Sequence, residues 1–395
     1  MISEKMKPLM ANNSAIRTMF EEGDRMRAQY GRHQVYDFSL GNPDAPTPPE
    51  VNQAILDVVK EEPDLILHGY MNNAGFEDVR ETIARHINKM QGTGFSAKNI
   101  LMTVGAASGL NVALKTILNP GEEVVIFAPY FLEYNWYVNN FDGVVIQAGT
   151  DKTTFQPDLA DFEKRITEKT RVVIINSPHN PTGVIYSEET IKGIAAILNK
   201  KQEELGRTIF ILSDEPYREL AYDGIPVPYV TRYYDNTIVA YSYSKSLSLP
   251  GQRIGYLVIP DELEESELVF DTASNANRII GCVNAPSLQQ KVIARCVDAK
   301  VDLNYYDKNR KALYQGLKEC GFDCVMPQGA FYLFMKSPAE DEAEFCAAAK
   351  KYNILLVPGR AFAAPGYVRL AYCVSYETIV NAMPGFKNLA AEYGL

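Results

Sequence analysis

Three features of the 395-residue sequence predict an α/β protein whose large domain carries a mixed, mostly parallel sheet between helices, with a smaller α+β domain attached. Seven short runs rich in β-branched residues recur between positions 99 and 260. Stretches of helical periodicity separate many of them, the alternation that builds a parallel sheet covered on both faces. After about residue 286 the pattern changes to a long helix followed by mixed strands and helices. The length exceeds the usual single-domain range, which accommodates one large unit and a companion.

Taken in order, SAIRTMFEEGDRMRAQYG has helical spacing, and VYDFSLGNPD reads as an extended strand ahead of the large sheet. The seven runs are NILMTVG, EVVIFAP, VVIQAG, RVVIINSP, IFILSDEP, TIVAYSYS and RIGYLVIP. Helices are expected after Gly105 and over 186–205. The gap between Lys245 and Arg253 is too short for a parallel crossover, so RIGYLVIP is expected to run antiparallel to a neighbour. That makes the sheet mixed. Further on, DLNYYDKNRKALYQGLKECG reads as a long helix, FYLFMK as a strand, 341–352 as a helix, ILLVP and YVRLAYC as strands, and the chain from about 376 as a last helix. The large domain is placed at 46–298, and the small one is formed by 1–45 together with 299–395.

Composition narrows the function classes. Hydrophobic residues make up 46% of the chain, ample for a buried core. No run of about 18 apolar residues is present to span a bilayer, and the start MISEKMKP contains Glu4 and no apolar stretch, so a cytoplasmic protein is expected. The net charge of −10 disfavours nucleic acid or an anionic membrane as the main partner. Cysteines 282, 296, 320, 324, 346 and 373 form no CxxC pair, and the four histidines are scattered. Reduced thiols and no metal site are therefore expected.

In an open α/β sheet, ligands sit beyond the carboxyl ends of the strands. After NILMTV comes Gly105-Ala106-Ala107, a small-residue turn entering a helix whose free N–H groups can hold a phosphate. After VVIINSP comes HNPTG with Asn180, after IFIL comes SDEPY with Asp214 and Tyr217, and after TIVAY comes SYSK with Ser242, Ser244 and Lys245. Read singly, each has a plainer explanation: a surface lysine, an aspartate capping a helix, an NPTG turn, a tight strand-to-helix turn. Together they converge on one rim.

SPHNPTG, SDEPY and SYSKSLSLPGQRIGY, in that order and spacing, resemble the class I and II aminotransferases, pyridoxal-phosphate enzymes of fold type I. The likeness runs from SAIR and SLGNPD to PGRAF and YVRLAY. It implies pyridoxal 5'-phosphate as cofactor, with Lys245 as covalent anchor and afterwards the proton carrier at substrate Cα. Arg253, a neighbouring cation, is expected to lower the lysine's pKa and to pair with the phosphate, joined by Ser242, Ser244 and the backbone of Gly105, Ala106 and Ala107. Asp214 would face the pyridine nitrogen, while Tyr217 and Asn180 would bond the ring hydroxyl oxygen. Phe131 would stack on the ring, or belong to the core. Tyr70 would reach the phosphate of a partner subunit, making the active unit a homodimer, or be an ordinary tyrosine. Arg369 would clamp the substrate α-carboxylate, with Gly41 closing over it, or lie on a sheet surface.

The sequence departs from the family pattern at two places. Arg360 stands where members often carry a small residue, and Ala106 and Ala107 replace a lysine of some dicarboxylate-specific relatives. The implied activity is ping-pong transfer of an amino group from an L-amino acid to a 2-oxo acid. An α,β-eliminating C–S lyase would use the same cofactor contacts. A non-catalytic ligand sensor would need a DNA-binding module, for which no room is expected before the SAIR helix.

Overall fold

Valine and isoleucine crowd the seven central runs, and in the computed structural model, which describes residues 2–7 and 15–395, each run becomes a strand. Along the chain lie β1 (Tyr36–Asp37), β2 (Ile100–Thr103), β3 (Glu123–Phe127), β4 (Val144–Ala148), β5 (Thr170–Asn176), β6 (Phe210–Asp214), β7 (Thr237–Ser242) and β8 (Gly255–Val258). After them come β9 (Tyr332–Lys336), β10 (Ile354–Leu355), β11 (Val357–Pro358) and β12 (Tyr367–Ala371). The large sheet has seven strands in the order β2-β8-β7-β6-β5-β3-β4. β8 runs antiparallel to both β7 and β2, as its short connection requires. The remaining pairs are parallel. Every residue of β2, β6, β7 and β8 is buried, because helices cover both faces.

The helix Ala106–Ile117 follows β2 directly, and its apolar side packs against β6, β7 and β8. Glu188–Leu205 begins where the Ser187 hydroxyl accepts the Thr190 N–H and ends at Gly206, whose φ of 62° suits a helix stop. Helices at Pro49–Glu61, Glu77–Gln91 and Ser266–Ile279 complete much of the outer cover.

Two expectations are corrected. VYDFSLGNPD forms only the two-residue β1, which pairs in parallel with β10 outside the large sheet. ILLVP is divided at Leu356, with β11 turning to join an antiparallel sheet in the order β11-β12-β9. ILLVP divides because its two halves pair in different sheets, whereas VYDFSLGNPD pairs in one only. Ser14, which opens SAIR, lies outside the described residues; Ala15–Tyr30 is helical. The small sheet shares a core with Leu303–Glu319 and Tyr376–Glu392, into which Phe38, Tyr217 and Leu220 also reach. Among the described residues, no helix is long and apolar enough to cross a membrane, and all six cysteines are free.

Candidate active site

Parallel pairing of β5, β6 and β7 sets Asn176 level with Asp214, and Asp214 level with Ala240. Beyond these carboxyl ends opens a cleft of about 330 Å³. Of the residues singled out from sequence, Gly41, Ala106, Ala107, Phe131, Asn180, Asp214, Tyr217, Ser242, Ser244, Lys245, Arg253 and Arg369 line it. Gly105 stands directly behind Arg253. Tyr70 does not join them: it is 95% exposed, just past the short helix Asp64–His68.

Lys245 is carried by the turn Tyr243–Ser246, whose start is capped by the Ser242 hydroxyl accepting the Ser244 N–H. Its amine donates to the Gly41 carbonyl at 2.7 Å and lies 5.4 Å from the Phe331 ring centre. A side chain at Gly41 would place Cβ 2.0 Å from the Tyr332 hydroxyl, so only glycine permits this approach. The amine's pKa is pulled down to about 8, chiefly by desolvation, with Arg369 and then Arg253 acting in the same direction. Burial thus outweighs the influence expected of Arg253.

Asp214 has one satisfied oxygen and one bare one. Oδ2 accepts the Tyr134 hydroxyl at 2.6 Å, whereas Oδ1 is buried with no hydrogen-bond partner among the described residues. Burial raises the carboxyl to about 7, against the opposing pull of the Tyr134 bond. Asn176 braces the region, donating to the Asp214 carbonyl at 2.8 Å and accepting the Asn180 N–H at 2.9 Å. Tyr217 and Tyr332 share a hydroxyl–hydroxyl bond of 3.1 Å. Phe131 meets Tyr134 edge-on, ring centres 5.7 Å apart.

Arg369, on β12, is buried rather than on a sheet surface. Its guanidinium lies between the rings of Tyr332 and Phe362, 4.5 Å from each centre. Nη1 donates to Asn180 Oδ1 at 3.1 Å and Nη2 to the Ser39 carbonyl at 2.6 Å, while Nε has no hydrogen-bond partner among the described residues. Among the described residues no carboxylate pairs with it, so a buried cation stands ready for an anion. Arg360 is outside the cleft and half exposed, bound to Asp341 and, at 2.8 Å, to Glu342.

The opposite end of the cleft is built from backbone. Gly105 has a φ of 81°, and a Cβ there would fall 2.8 Å from Arg253 Nη2. A Cβ on Gly255 would meet the Tyr241 carbonyl at 2.2 Å and Gly105 Cα at 3.0 Å. Two glycines therefore let the turn, the arginine and the first, unpaired N–H groups of Ala106–Ile117 crowd together. Arg253 Nη1 and Nη2 bond the carbonyls of Pro250 and Val104, each at 3.1 Å, and the Ser242 and Ser244 hydroxyls bond each other at 2.7 Å.

This donor set fits pyridoxal 5'-phosphate. A helix N-terminus with an arginine and a serine suits a phosphate, the bare Asp214 Oδ1 lacks the N–H that a protonated ring nitrogen offers, and a buried amine of low pKa suits an aldehyde. Sequence reasoning missed Tyr134, Asn176, Tyr332 and Gly255. Asn176 ends a predicted strand and was reachable by the same position rule. Tyr134 and Tyr332 carried no signal, because their partners are distant in sequence.

The model of the family described as aminotransferase class I and II matches residues 33–384. The aspartate aminotransferase of Thermotoga maritima is 32% identical over 355 residues, covering 88% of this chain and 89% of its own length. A probable N-acetyl-LL-diaminopimelate aminotransferase of Bacillus subtilis is 33% identical, with 87% and 86% covered. Among solved structures, an amino transferase of Eubacterium rectale superposes with a TM-score of 0.97 at 45% identity, covering 100% of this chain and 99% of the other.

Proposed function

The chain belongs to the class I and II aminotransferases, pyridoxal-phosphate enzymes, and from that premise we propose that it carries the amino group of an L-amino acid to a 2-oxo acid by a ping-pong route. One observation carries the reading: a desolvated Lys245 amine shares its cleft with the bare Asp214 Oδ1 and with the unpaired cation of Arg369. When bound, the cofactor supplies an electron sink that acidifies the substrate Cα–H.

The protein's own groups do the rest. Arg253, Ser244 and the N–H groups of Ala106 and Ala107 hold the phosphate. Asp214 would hold a proton at the ring nitrogen, Tyr217 and Asn180 would bond the ring oxygen, and Phe131 would cover the ring. Burial lowers the Lys245 pKa to about 8, which favours the free amine that would take a proton from Cα and return it. Arg369 orients the α-carboxylate. Arg369 as one buried clamp serving donor and acceptor in turn supports the ping-pong order.

The division into 46–298 and 1–45 with 299–395 remains our assignment, supported by a core around the small sheet drawn mostly from residues after 300. Nothing among the relatives named favours the α,β-eliminating lyase. Borohydride reduction of the cofactor-loaded enzyme followed by peptide mapping tests the reading: the label belongs on Lys245, and a label on another lysine overturns it. Parallel double-reciprocal plots for donor and acceptor test the ping-pong order.

A further inference from the structure

Side chains alternate across a strand, so Asp214 and Ser242 face the cleft while Glu215 and Tyr241 face the other side of the sheet. There a second cavity, of about 310 Å³, lies between β7, β8, the chain after β6, the helix Glu77–Gln91 and the segment 297–303. Four tyrosines line it: Tyr229, Tyr241, Tyr243 and Tyr256, all buried. Their rings interlock, Tyr241 on Tyr256 at 4.8 Å and edge-on to Tyr243 at 5.1 Å.

The hydrogen bonds around this cavity leave one oxygen without a partner among the described residues. Glu215 is satisfied by Arg218 and by the Ser213 hydroxyl at 2.7 Å. Arg218 is saturated in turn by the carbonyls of Val227 and Pro228 at 3.1 and 3.0 Å. His86 is bound to Asp298, and Lys300 stands exposed at the rim. Burial raises the pKa of the Glu219 carboxyl, against the pull of the Tyr241 hydroxyl beside it, and its buried Oε2 has no hydrogen-bond partner among the described residues. An unpaired carboxylate oxygen beside aromatic faces is the surrounding that a desolvated organic cation requires.

We infer that this cavity is a second ligand site, taking a small organic ammonium ion with an aromatic body, its N–H on Glu219 and its charge against the tyrosine rings. The site lies behind the catalytic turn: the Tyr241 hydroxyl bonds Ser246 Oγ at 2.8 Å, next to Lys245. Because the sheet separates it from the cleft, its occupant does not compete with the amino donor.

N,N-Dimethylbenzylamine is a suitable probe, since a tertiary amine cannot condense with the cofactor aldehyde and offers Arg369 no carboxylate. Calorimetry on the cofactor-loaded enzyme is expected to show one saturable site per chain, undisturbed by saturating donor. Glu219→Gln removes the charge and keeps the shape; Ala299→Phe fills the cavity and keeps the charge. Each is expected to weaken the probe by at least about tenfold, the effect of losing a charge-assisted bond or the space itself. Wild-type affinity in both variants, displacement by donor, or no saturable binding at about millimolar probe overturns the inference.

Discussion

Tyr134 is the one group that relieves the burial of Asp214, since its hydroxyl bond lowers a pKa that desolvation raises. In Tyr134→Phe the carboxyl therefore rises further, which weakens its hold on a proton at the ring nitrogen. kcat is expected to fall on the order of tenfold while cofactor retention, governed by the phosphate contacts, changes little; steady-state kinetics and cofactor titration read the two separately. Lys245 gives a pH signature of definite sign. Its pKa is below the ordinary lysine value, and only the free amine attacks an aldehyde, so capture of the cofactor by the apoprotein is expected to quicken as pH rises through about 8 and to level off above it. Stopped-flow absorbance across that range checks it, and a rate still climbing steeply well above pH 8 contradicts it. Arg369→Ala leaves a substrate carboxylate unpaired, a cost on the order of 2–5 kcal/mol, or about 30- to several thousand-fold in kcat/KM. The loss is expected to be similar for aspartate, alanine and an aromatic donor. Arg360→Ala, which breaks ion pairs remote from the cleft, is expected to spare all three.

The seven strands and the antiparallel course of β8 were legible because they rest on local signals: β-branched runs, helical spacing and a connection too short to cross over. The helices at 49–91 lacked such a frame. Their exposed sides mix Leu56, Val59, Leu65 and Ile66 with charged residues, which blurs the apolar period. ILLVP looked like one strand since all its residues are apolar, and nothing in five letters announces that Leu356 divides two sheets. The close approach of β8 to the turn before Ala106–Ile117 was equally hidden, because Gly105 and Gly255 lie 150 positions apart in sequence. That contact makes its own prediction. A methyl at Gly255 collides with two backbone segments that cannot swing aside, so Gly255→Ala is expected to cost about 1–3 kcal/mol of stability, read as a lowered Tm, and to weaken cofactor binding with it.

Most of the cleft was readable from strand ends, whereas Tyr332 and the true surroundings of Gly41 depend on how the small sheet docks, a long-range event with no local mark. Tyr70 extends the question past one chain. It is fully accessible and neighbours Leu65 and Ile66, also exposed, which supports a face covered by a second copy. If Tyr70 completes the partner's site, mixing Lys245→Ala with Tyr70→Phe chains is expected to yield heterodimers with one doubly damaged site and one intact site. Recovery of up to about half the activity per heterodimer would follow by counting sites; verified heterodimers without recovery reject a shared site. The bond from Arg369 to the Ser39 carbonyl spans 330 residues and gives the cleft a history as well as a shape. A chain emerging from the ribosome has made Lys245, Asp214 and Arg253 well over a hundred residues before Arg369 appears. The residues that grip the cofactor are thus made on an unfinished chain, while the arginine that grips the carboxylate common to all amino acids arrives in about the last tenth of synthesis. Cofactor capture can precede substrate recognition within the birth of a single molecule.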